Sequence, residues 1–201
     1  MTVWTISAQK GTGGAAIAAT LAAGVGVPLL DQTALTLLAN DPRLGVAEIG
    51  GLEERLADRM GFALAVAAMG FVPVAVPDVL SDLELRRTLA ARARTLLAEV
   101  ARTPCVIVAT AAFAVLDDHP AAIHARVWAP FDWRVEHHHR EHLVDRRAAQ
   151  AAVKHDDKLQ RAWAKTLYNA DLTDARPFTL TLDASRLSQE QIIDILRDAA
   201  A

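Results

Sequence analysis

Apolar runs and amphipathic stretches alternate along the chain, and this alternation predicts strands separated by helices. "TVWTIS" (2–7) is short and β-branched, the pattern of a buried strand. Residues 14–24 are Ala-rich and helix-forming. "VGVPLLD" predicts a second short strand over 27–30, and Asp31 stands where a cap for the helix "QTALTLLAN" belongs. Residues 40–104 are mostly helical by pattern: "GLEERLADRMGFALAVAAMG" carries apolar residues at helical spacing, and "FVPVAVP" (71–77), with two prolines, reads as a loop. In "DVLSDLELRRTLAARARTLLAEVAR" one face gathers Leu85, Leu89, Leu96, Leu97 and Val100, while Arg86, Arg87, Arg92 and Arg94 fall largely elsewhere. That division predicts a long amphipathic helix.

"CVIVATA" (105–111) is a continuous apolar run, as expected of a central parallel strand covered on both faces. "IHARVWAP" (123–130) predicts another strand, stopped by Pro130, and residues 132–168 are charged and helical. "PFTLTLDAS" (177–185) predicts the last strand, and "SQEQIIDILRDA" a closing helix whose Ser188 and Gln191 form a capping box. Strands separated by helices point to an α/β fold with a parallel sheet of about five strands. The helical stretches 40–80 and 132–170 look like insertions over the carboxyl edge of that sheet, where ligands bind in such folds.

The length of 201 residues suits one domain with a sizeable core. Apolar residues make up 52% and aromatics 5%, a globular and helix-leaning composition. A net charge of −3 gives no global drive toward nucleic acid or acidic membranes. Apolar stretches are broken before about 18 residues, so no membrane span is expected, and no secretory leader is visible. The single cysteine, Cys105, sits in the apolar run and suits a packing role in a reducing compartment. The expected location is the cytoplasm. The apolar loop 70–77 reads as either a cover over the core or an oligomer contact.

The first strand-to-helix turn, "SAQKGTGGAAIAATLA" (7–22), carries the strongest local chemistry. Glycines there let backbone N–H groups converge on a phosphate at a helix N-terminus. The sequence is not G-x-x-x-x-G-K-[ST]. Aligned on Gly13, the first Gly becomes Ala8 and the Lys becomes Gly14. Gly11, Thr12, Gly13 and Gly14 are candidate phosphate ligands, and Lys10 is the nearby cation that could fold back over them. A tight turn with close packing is the alternative. Elsewhere, "HHHREH" (137–142) places His138 and His142 one turn apart. Glu141, Asp145 or His155 could complete a metal set, but an exposed polar helix is the simpler reading, and no metal is assigned. Clustered imidazoles could also respond to pH near 6. Asp31, Asp117 and Asp118 are further carboxylates near strand ends, and Trp133 and Trp163 read as exposed packing residues.

Read end to end, the chain resembles the cytidylate kinase-like family of P-loop nucleoside monophosphate kinases. "ISAQKGTGGAAIAATLAAGVGVPLLD" is similar to that family's opening, "CVIVATAAFAVLDDHPAAIHARVWAPFDWR" to its middle, and "DDKLQRAWAKTLYNADLTDARPFTLTLDASRLS" to its tail. The resemblance implies a single P-loop NTPase-like domain over residues 1–201. Its core would be 1–39, 96–131 and 177–201, with an NMP-binding insertion over 40–95 and a lid over 132–170. It implies ATP and Mg²⁺ as cofactors and CMP or dCMP as phosphoryl acceptor. Arg134, Asp157 and Arg161 are the catalytic residues it implies, with Arg147 and the loop glycines as nucleotide contacts, and Lys10 joins the catalytic set as the loop's own cation in place of the family's. Arg146 is a weaker lid candidate. Several family cations are missing: Ala8 stands for the loop Arg, Ala15 for a basic residue after the glycines, and Thr110 for the Arg of a Gly-Arg-Gly turn. Ala15 and Ala16 also leave no hydroxyl for a metal after the loop. An arginine-finger contact contributes about 10³–10⁵ in rate. The second implied possibility is therefore a catalytically degenerate member that binds a nucleotide, an anion or a protein.

Overall fold

A computed structural model describes residues 2–31, 34 and 83–200. Within these, five strands form one parallel sheet: β1 (Val3–Ala8), β2 (Leu29–Leu30), β3 (Cys105–Val108), β4 (Ala122–Trp128) and β5 (Leu180–Asp183), in the order β2-β3-β1-β4-β5. Six helices accompany them: α1 (Gly14–Val25), α2 (Leu83–Val100), α3 (Ala112–Val115), α4 (Phe131–His142), α5 (Arg146–Tyr168) and α6 (Gln189–Asp198). The expected five-stranded parallel sheet flanked by helices is the observed one. Most of the expected insertion 40–95, including the loop 70–77, lies outside the described residues.

β1 is the central strand, in register with β3 through Val3↔Cys105 and with β4 through Val3↔Ala122. Alternate side chains leave opposite faces. Trp4 and Ile6 pack with Ile17 and Leu21 of α1 and with Ile192 and Leu196 of α6. Val3 packs on the other face with Cys105, Ile107 and the α2 residues Leu96 and Leu97. The Trp4 indole nitrogen donates to the Leu196 carbonyl at 2.8 Å, tying the last helix to the first strand. The capping box is present, with Ser188 and Gln191 each bonded to the other's backbone. Asp31 accepts from the Ala34 amide at 2.9 Å, in keeping with a cap.

One boundary differs from expectation. β3 ends at Val108 and not at residue 111. The Ser7 hydroxyl lies within hydrogen-bonding distance of the Ala109 and Thr110 carbonyls, at 3.1 and 2.9 Å, and the chain turns there into α3. The charged stretch 132–168 is helical, as expected, and consists of two helices. It breaks at Leu143, which is 92% exposed with φ 54°, and restarts where Asp145 accepts from the Ala148 amide at 2.9 Å. None of the helices among the described residues is long and apolar enough to cross a membrane.

Candidate active-site cleft

β1 delivers the glycine loop directly onto the N-terminus of α1. Gly11 has φ +84°, and a Cβ there would stand 2.4 Å from the Arg134 carbonyl oxygen. At Gly14 a Cβ would stand 2.1 Å from the Cβ of Ala8. These two glycines let the loop lie against α4 and against its own strand, which no residue with a side chain permits in this backbone. The Thr12 hydroxyl donates to the Gln9 carbonyl at 2.7 Å and closes the turn. The resulting cleft has a volume of about 350 Å³ and is bordered by Lys10, Gly13, Gly14, Asp156 and Gln160. Amide groups of the first helical turn have no partner inside their helix, which favours an anion there.

Lys10 lies on the cleft, with its ammonium 3.7 Å from Asp156. Burial raises the Asp156 carboxyl above the ordinary range, and the Lys10 charge opposes that rise. The next residue behaves differently. Asp157 accepts both Nη atoms of Arg134, at 2.9 and 2.8 Å. Arg134 also donates through Nε to the Ala129 carbonyl at 3.0 Å and through Nη1 to the Lys10 carbonyl at 3.3 Å. Its side chain is 4% exposed. Arg134, expected to clamp a phosphate, is thus in this conformation a buried tie between the loop, α4 and α5, and it lines neither of the two clefts described.

Arg161 is exposed, with Nε donating to the Asp157 carbonyl at 2.9 Å. It borders a second, smaller cleft of about 110 Å³, together with Ser7, Asp157 and Phe178. Arg147 is exposed on the first turn of α5 and borders neither cleft. Arg146 lies 4.0 Å from Glu136. Asp156 is one residue that sequence reasoning passed over, and Arg126 is another. It lies in β4, in register with Ser7 of β1, and lines the smaller cleft with its guanidinium 5.9 Å over the Phe178 ring. Burial lowers its basicity, while Asp171 and Asp157 act the other way. The available signal was a cation inside the strand-like run "IHARVWAP".

On α4, His138, Glu141 and His142 border the larger cleft, and their ligand atoms lie within 4.8 Å of one another. Asp145 and His155, the other sequence candidates, are not in this group. Burial lowers the His138 pKa first, with His142 and Lys10 adding to the effect. His137 stacks on Trp133 at 4.9 Å. Trp163, expected to be exposed, is 3% exposed and belongs to the interior. Cys105 is fully buried and its thiol is pushed up to about 11, so it has the character of a core residue and not of a nucleophile. Asp117 and Asp118 sit on an exposed turn.

The loop geometry fits a phosphate, with a helix N-terminus and Lys10 beside it. The fit to Mg²⁺ is narrower. Ala15 and Ala16 offer no hydroxyl, and the Thr12 hydroxyl donates to Gln9. The carboxylates lining the cleft among the described residues are Asp156 and Glu141. Mg²⁺ is commonly held by one or two carboxylates plus substrate phosphates, so Asp156, opposite the loop, is the residue that would hold it.

Comparison with solved structures supports the fold. A protein from Eubacterium ventriosum ATCC 27560, described as uncharacterized, superposes with a TM-score of 0.70 at 19% identity, covering 99% of this chain and 97% of that one. TT1252 from Thermus thermophilus gives 0.51 at 19% identity, covering 100% and 98%. No curated protein matches the sequence. The description of the cytidylate kinase-like family matches residues 3–186, nearly the whole length over which the glycine loop, the five parallel strands, α4 and α5 are laid out, and the chain belongs to that family.

Proposed function

We propose that the glycine-loop cleft holds the phosphates of ATP and that the protein transfers the γ-phosphoryl group to CMP or dCMP in the cytoplasm. The observation that carries this reading is the cleft itself: glycines at the N-terminus of α1, with Lys10 on its wall and 350 Å³ of space, within the usual range for a ligand pocket. In this reading Lys10 neutralises charge on the ATP phosphates. Arg161 and Arg126 face the acceptor side. Asp156 would hold Mg²⁺, which when bound neutralises charge on the phosphates. Arg134 and Asp157 keep the loop in place and make no contact with the nucleotide. Transfer of this kind rests on positioning and charge neutralisation, so two arginines on a neighbouring strand and helix can stand in for cations missing from the loop.

A second reading is favoured by one specific observation. Arg134 is fully engaged by Asp157 and two carbonyls, and Ala8, Ala15 and Thr110 carry no charge. A protein of this fold could then bind a nucleotide or another anion without efficient transfer. A coupled phosphotransfer assay with CMP, dCMP, UMP and AMP separates the two. Turnover above roughly 1 s⁻¹ with CMP or dCMP is the expected result. ATP binding by calorimetry without turnover selects the second reading, and absence of ATP binding overturns the first.

A further inference from the structure

The histidines of α4 have no task in the reading above, yet three side chains of one helix converge at the cleft. His138 and His142 are one turn apart with ring centroids 4.2 Å apart, and Glu141 lies 3.6 Å from His142. A solvated polar helix face would leave these groups separately hydrated. Here the Nδ1 of His138 is buried and has no hydrogen-bond partner among the described residues. A buried imidazole nitrogen without a partner is uncommon, and a missing ion is one physical explanation of it. Neighbouring His139 is engaged elsewhere, with its Nδ1 bonded to the Val144 carbonyl.

We propose that His138, Glu141 and His142 form a site for a divalent transition metal of the zinc class at the rim of the loop cleft. Two imidazoles and one carboxylate are donors that suit Zn²⁺, Co²⁺ or Ni²⁺ better than Mg²⁺, which prefers oxygen. Three protein ligands leave a tetrahedral ion one position for an exogenous oxygen. All three ligands line the same cleft as Lys10 and Gly13, so that position opens onto the cleft where the loop meets its anion. The metal adds positive charge to a cavity wall where, among the described residues, Lys10 is the only Lys or Arg.

The test is Zn²⁺ titration of the tag-free chain by calorimetry, with Co²⁺ visible absorption as the second readout. The expected result is one ion per chain, and binding at least about tenfold weaker in both His138→Ala and His142→Ala. His142 is 52% exposed, so its variant is expected to keep the wild-type circular dichroism spectrum. His155→Ala, on an exposed part of α5, is expected to bind as wild type does. Glu141→Gln is the milder variant, expected to weaken binding and to shift the Co²⁺ spectrum. The proposal is overturned if the wild type binds no stoichiometric Zn²⁺ below about 100 µM, far above the affinities of built zinc sites. It is equally overturned if His138→Ala and His142→Ala, both folded, bind as tightly as wild type.

Discussion

Asp156 and Asp157 are adjacent on α5, and each meets a cation from the other side of the cleft wall. Asp157 receives Arg134 through two bonds of 2.9 and 2.8 Å, and that guanidinium is almost wholly buried. Asp156 meets Lys10 at 3.7 Å, and the Lys10 side chain is 35% exposed. The first pair is bidentate, desolvated and closed. The second is loose, and its cation borders open space. A rigid fork with five donors suits the first role, and a flexible point charge suits the second. Arginine thus builds the loop's support here, and lysine is left for whatever enters the cleft.

The largest effect should follow from Asp157→Asn. It leaves the Arg134 guanidinium buried beside a neutral amide, and breaking a buried pair in this way costs about 3–5 kcal/mol. Urea unfolding is expected to show a loss near the low end, because Asp157 is 13% exposed. A loss under about 0.5 kcal/mol would mean that the two pairs do not differ in kind. Lys10→Ala sharpens the other half. It should lower ATP affinity at least about tenfold by calorimetry, while costing only about 1 kcal/mol of stability. Unchanged ATP affinity would remove Lys10 from the site.

The smallest effect has the opposite sign. The Asp156 carboxyl is raised by burial, so ionised Asp156 disfavours folding at pH 7. A group whose folded pKa is raised contributes stability below its unfolded value and loses it as pH rises through the folded value. Asp156→Asn therefore gains a little stability at neutral pH, and the gain fades as pH falls toward the ordinary carboxylate range. Thermal melts of both proteins at pH 7 and pH 4.5 read it. A variant less stable than wild type at pH 7 would show that the pairing with Lys10 outweighs burial.

Much of this was legible in the sequence, and the reason is physical. Parallel strands covered on both faces read as continuous apolar runs, which is why β1 and β3 stand out. The glycine loop shows itself because tight turns onto helices have few sequence solutions. The end of β3 does not show itself, since it coincides with contacts to the Ser7 hydroxyl, a residue more than a hundred positions earlier. Arg134 could be picked out by resemblance, but its inward direction depends on Asp157, which is a helix away. Arg126 escaped because a lone cation in a strand reads as an outward-facing residue. Only the sheet register, with Ser7 beside it and α5 overhead, shows that it borders a cleft. Trp163 was misjudged for a related reason: a charged helix still has one dry stripe, and Trp163 is on it.

The central position of β1 also sets a timetable. Its partners begin at Cys105 on one side and Ala122 on the other, and its Trp4 is tied to Leu196. At about 5–20 residues per second, an apolar strand leaves the ribosome roughly 5–20 s before either neighbour has been made. Throughout that interval it presents two unpaired edges, and slower elongation lengthens the exposure.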